Sequence, residues 1–188
     1  MSLYAQIHAR FVDADPRISR NEIRKAVSEA TGVPSLQPII EGLNPAICRG
    51  YYLSPRAGHR LAQQFGRHVI VLARDLNRCW QRFVFVKELM HVLDGSAEST
   101  DSGDKFEAVL NEINGPSPWS EQTTSEVNAF WMALGLLCPM KVHAELRRQR
   151  SRNHVGDYAI ALRLQIPEVY VPRLFEPRFE DYIRRLTK

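Results

Sequence analysis

Cysteine is scarce in this sequence: Cys48, Cys79 and Cys138 are far apart, and no C-x-x-C pair occurs. That spacing excludes a zinc ribbon and a disulfide framework. Long apolar runs are missing as well, and none approaches the roughly 20 residues that a membrane-crossing helix needs. Met1 to Val12 interleaves Tyr4, Gln6, His8 and Arg10 with its apolar residues, which leaves no signal-peptide core there. A reduced, cytoplasmic protein with no membrane association is the expectation. Internal repeats and low-complexity tracts are also absent, so the chain is no repeat array. Charge of one sign is slight: 25 basic against 21 acidic residues leave +4. Some of that excess falls in Glu145-Leu146-Arg147-Arg148-Gln149-Arg150-Ser151-Arg152. This stretch reads first as a solvated helix end and loop, and second as a phosphate-contacting patch.

What is present is an ordinary globular composition, 44% apolar and 24% charged over 188 residues. One domain of this length buries its own core, so any metal site would be catalytic or regulatory rather than a folding requirement. Residues 1–44 read as an N-terminal helical segment, 45–140 as the core and 141–188 as a helical tail of the same domain. Helices are expected at Met1 to Phe11 and Ser19 to Thr31, the second capped by Ser19 with Glu22 three positions on. Gly32 and Pro34 close it, and the run Leu36 to Leu43 beyond could mimic the second half of a helix-turn-helix but lacks a clear basic recognition helix.

A short strand is expected around Cys48 to Leu53, a helix at Gly58 to Phe65, and a β-branched strand at His68 to Ala73. Further helices are expected at Trp80 to Asp94, Asp104 to Ile113, Ser125 to Cys138, Met140 to Arg150, Tyr158 to Leu164 and Arg178 to Leu186. Gly115-Pro116-Ser117-Pro118 reads as a break and Pro167 as a turn. Helices, a small sheet, then helices is the order of an α+β domain.

One helix carries the chemistry. At about 100° per residue, Phe85, Val86, Leu89, Met90, Val92 and Leu93 share a broad apolar arc. Lys87, His91 and Asp94 gather opposite, with Glu88 at their edge. Lys87-Glu88-Leu89-Met90-His91 is an H-E-x-x-H pattern with one substitution. That pattern works because i and i+4 share a helix face, so two imidazoles grip one zinc while the Glu takes a proton from its water. A protonated lysine only donates and cannot ligate. Glu126, 35 residues after His91, opens the next apolar helix and is the candidate third ligand. Thr123 with Glu126 also reads as a capping box, a role compatible with the same place.

In this order the motifs resemble those of ImmA/IrrE-type metallopeptidases. That family shows a short strand, an R-F-x-x-A-H-E-x-x-H helix and an E-x-x-A-x-x-F-A-x-x-L-L-x-P helix. Here stand His68 to Ala73, then Arg82, Phe83, Lys87, Glu88 and His91, then Glu126, Ala129, Phe130, Leu136, Leu137 and Pro139. The likeness covers roughly residues 45–140. It implies a zincin-like α+β domain, mostly helical with a small sheet, with His91 and Glu126 as zinc ligands and Glu88 as general base. It also implies a helix-turn-helix transcriptional repressor of a mobile element or stress regulon as the protein acted upon. Lys87 departs from the family at the other ligand position, which implies that zinc is absent or weakly held. The long gap marks 95–122 as an insertion.

Asp94 could complete a rearranged set with Glu88, His91 and Glu126 for zinc or manganese, though a polar helix end before Gly95 is the plainer reading. His59, His68, His143 or His154 could supply an imidazole from elsewhere, and Tyr51, Tyr52 or Tyr158 could polarise a carbonyl. Three functions stay open: a degenerate peptidase that regulates a repressor by binding, an active zinc endopeptidase with an altered ligand set, and a nucleic-acid module using the arginine-rich stretch.

Overall fold

Ser19 and Glu22 form the capping box that their spacing predicts. The Ser19 hydroxyl accepts from Glu22 N–H, and the Glu22 carboxylate accepts from Ser19 N–H. Helix α2 (Arg20–Thr31) therefore starts there, and Gly32, at φ 71°, ends it in the left-handed region. The short α1 (Leu3–Ala9) precedes it, capped by Ser2. The computed structural model describes residues 1–34, 36–94, 112 and 118–188.

Three strands follow: β1 (Leu36–Glu41), β2 (Gly50–Leu53) and β3 (His68–Ala73), with α3 (Arg60–Phe65) between the last two. Their order is β1-β3-β2, so β3 is central, parallel to β1 and antiparallel to β2. Five of the six β3 residues are buried because both faces are covered. Val69 and Val71 pack with Leu61 and Ala62 of α3, while Ile70 and Leu72 join the main core.

That core is built on α4 (Arg78–Met90), which Asn77 caps by accepting from Trp80 N–H. Gly50 lets β2 approach it: a Cβ there would lie 2.6 Å from the Val71 carbonyl oxygen and 2.7 Å from Val84 Cγ1. After a 3-10 turn (His91–Leu93) and the segment around 95–117, α5 (Glu121–Leu137) crosses α4. The two meet at Phe83 and Phe130, whose rings lie 5.7 Å apart. The tail folds as α6 (Met140–Ser151), α7 (Asp157–Leu164), a 3-10 turn (Glu168–Tyr170), α8 (Val171–Leu174) and α9 (Pro177–Leu186).

Buried Arg82 ties the two ends of the chain to α4. Its guanidinium donates to the carbonyls of Pro16 (3.2 Å), Ile18 (2.7 Å) and Leu164. Burial pushes its pKa down to about 10. Its role is that of a structural clasp, because all three acceptors are backbone oxygens.

The domain is α+β, mostly helical with a small three-stranded sheet. The structure differs from the local reading at several points. Leu36 to Leu43 is no recognition helix: Leu36–Glu41 is an edge strand, the place in a sheet where a proline such as Pro38 is tolerated. The segment 1–44 is thus helical only to Thr31. Helix α5 starts at Glu121, since Ser120 rather than Thr123 caps it by accepting from Thr123 N–H. Glu126 therefore stands in the second turn and its carboxylate is not a capping group. A helix at Val171–Leu174 was not expected; Pro172 in its first turn starts it. The helix expected at 104–113, apart from Glu112, and the break at 115–117 lie outside the described residues. Among the described residues no helix is long and apolar enough to cross a membrane.

Candidate functional site

Packing of α4 on both the sheet and α5 encloses its ionisable stripe. From Phe83 to Met90 every α4 residue except Lys87 is buried, so the stripe is no solvated face. Glu88 has 4% of its side chain exposed, His91 9%, Glu126 16% and Lys87 21%. The second-turn position of Glu126 on α5 aims its carboxylate across the interface at α4.

The structure brings Lys87, Glu88, His91 and Glu126 together. The Lys87 ammonium donates to Glu88 Oε1 at 2.9 Å and to Glu126 Oε2. It therefore bridges two carboxylates from two helices. His91 Nε2 faces Glu88 Oε2 at 3.7 Å and Glu126 Oε2 at 3.6 Å, beyond hydrogen-bond distance, and is buried without a hydrogen-bond partner. Its Nδ1 lies 3.2 Å from Ser125 Oγ.

The electrostatics follow from burial and the bridge. Burial alone would lower the Lys87 pKa, but the charges of Glu88 and Glu126 and their hydrogen bonds outweigh it and raise it. Burial raises the Glu88 carboxyl, against the pull of Lys87 and His91. Burial also opposes ionisation of Glu126, yet Lys87 and His91 hold it well below the usual carboxylate range. One ammonium thus keeps two close carboxylates from repelling each other.

Whether these residues fit the zinc that the motif implies is decided by Lys87. Its ammonium occupies the space between the two carboxylates, carries like charge to a metal and has no lone pair to give. The set does not fit a zinc ion. Among the described residues no group of three or more His, Cys, Asp and Glu side chains is arranged to hold a metal. Glu88, the expected general base, has one oxygen committed to Lys87. Asp94 closes the 3-10 turn, its N–H donating to the His91 carbonyl at 3.2 Å, and lies past the end of α4.

None of the other histidines joins Lys87. His59 caps α3 through Nδ1, buried His143 pairs with the Leu174 carbonyl at 2.8 Å, and His154 is on the surface. Among the tyrosines, Tyr52 stacks on His91 with ring centres 6.2 Å apart, and its hydroxyl meets His68 Nδ1 at 2.5 Å. Burial pushes its pKa up to about 12. Tyr51 lies on the α3 side and Tyr158 on the outside. Ser125, which orients His91, carried no signal beyond its place before Glu126.

The arginine-rich stretch is partly spoken for: Arg147 pairs with Glu180 at 2.5 Å and Arg150 with Asp157. Matching the chain to models of protein families, to curated proteins and to solved structures finds no relative in any of the three.

Proposed function

We propose that this chain is a degenerate ImmA/IrrE-type, zincin-like peptidase that acts by binding a helix-turn-helix transcriptional repressor without cutting it. The observation that supports it most is the Lys87 ammonium held between Glu88 and Glu126. In a working site of this kind the metal would polarise the scissile carbonyl and activate water. Here a fixed cation takes that place, and an ammonium already donating to two carboxylates activates no water. What the residues retain is a charged floor between α4 and α5, with Tyr52 and His91 stacked beside it. A floor of this kind can seat a polypeptide and leave its backbone intact.

The test is calorimetric titration with helix-turn-helix repressors from the same genome, followed by intact mass of the repressor. A complex in which the repressor keeps its full mass is the expected result. Cleavage that Glu88→Gln abolishes would instead establish an active zinc endopeptidase with an altered ligand set. No complex with any repressor overturns the binding reading.

A further inference from the structure

Two loops at the start of α4, residues 44–49 and 74–77, enclose an open groove of about 330 Å³. Arg49 lies over the Trp80 ring, its guanidinium carbon 4.1 Å from the ring centre. Arg49 is exposed and, among the described residues, has no carboxylate within ion-pair distance. It differs in this from Arg147, Arg150, Arg163, Arg173 and Arg178, which all pair with acids. Asn77 also lines the groove. Its Oδ1 is used on Trp80 N–H, which leaves its amide hydrogens as donors.

The groove and the Lys87 site share helix α4. Trp80 and Lys87 are seven residues apart on α4, two turns along one face and ~10 Å along its axis. Cys48, next to Arg49, feels the charges of Glu88, Lys87 and Glu126. An extended peptide covers ~10 Å in about three residues.

The geometry points to this groove as the pocket for an acidic side chain of a bound polypeptide, about three residues from the one that meets Lys87. The inference rests on the binding reading above and adds a rule of recognition to it. A carboxylate fits a planar guanidinium through two parallel hydrogen bonds, and the contact with Trp80 holds the Arg49 guanidinium at the groove. Asp75, also on the groove wall, is outside ion-pair distance of Arg49 and disfavours a second acid beside the first. Nucleic acid suits the groove less well. Base stacking needs an open aromatic face, whereas Arg49 covers one face of Trp80 and Tyr170 meets that ring edge-on at 5.4 Å.

The experiment uses two fluorescein-labelled octapeptide pools, degenerate except for one fixed Glu or one fixed Gln, and fluorescence anisotropy at low salt. The parent should bind the Glu pool about fivefold more tightly, the value of one partly exposed ion pair. Arg49→Gln should remove the difference with no change in melting temperature, and Arg49→Glu should favour a pool with a fixed Lys. Equal binding of both pools by the parent, or a Glu preference that survives Arg49→Gln, overturns the assignment. Binding of a fluorescein-labelled oligothymidylate that Arg49→Gln abolishes overturns it in favour of nucleic acid. No binding of either pool also overturns it, and whether the binding reading stands is then read from the repressor titration alone.

Discussion

Replacing Lys87 by methionine removes the ammonium and keeps most of the stem, so the change isolates charge from packing. Glu88 and Glu126, with 4% and 16% of their side chains exposed, would then face each other and His91 with no cation between them. Breaking a buried pair by removing one partner costs on the order of 3–5 kcal/mol, and a solvated pair under about 1. With one-fifth of its side chain exposed, Lys87 belongs near the lower end of the buried range, at about 3 kcal/mol. For a chain of this length each kcal/mol lowers the melting temperature by roughly 2–4 °C, so a fall of about 6–12 °C is expected. Calorimetry and urea melts measure it. Adding Glu126→Gln should recover part of the loss, because the second change removes one of the stranded charges, and the double-mutant cycle should give a coupling of about 2 kcal/mol. A Lys87→Met protein that melts within about 1 °C of the parent would refute the bridge as a stabilising element.

Three other outcomes follow. Lys87→His should bind zinc, and at a hundredfold excess over Kd the metal should stabilise that variant by about 2.7 kcal/mol and leave the parent unchanged, as melts with and without zinc would show. His8, His68 and His143 are all held below the ordinary histidine value of 6.5, burial being the first cause in each. A depressed folded pKa contributes stability that is present above the unfolded value and lost as pH falls, so the parent should lose stability from about pH 6.5 downward. His8→Leu, which removes a buried Nε2 lacking any hydrogen-bond partner, should flatten that slope in urea melts at stepped pH. Gly135→Ala should cost about 1–3 kcal/mol, since a Cβ there meets Ile183 Cδ1 and the Tyr4 hydroxyl at 2.5 Å; an unchanged urea midpoint would show that α1 and α9 give way freely.

The gathering of Lys87, Glu88, His91 and Glu126 was legible in the sequence because helical spacing alone puts 87, 88 and 91 on one stripe. An apolar helix opening near Glu126 then had to pack on it. The helix start was misread because Thr123 and Glu126 carry the spacing of a capping box, while the true cap, Ser120, looks like any loop serine. Strand β1 was hidden because Pro38 interrupts its alternation, and only its edge position makes that proline harmless. Which tyrosine meets His91 depends on the register Tyr52↔Ile70, a long-range pairing with no local signature. The groove at Arg49 needs two loops some thirty residues apart to meet.

The central claim, that the Lys87 ammonium stands where a zinc ion would, is tested most directly by elemental analysis of the parent and of Lys87→His. Both are to be purified without chelators and equilibrated with equal zinc. Zinc is expected well below one per chain in the parent and close to one in Lys87→His. One tightly held zinc per parent chain, lost in Glu126→Gln, would contradict the claim.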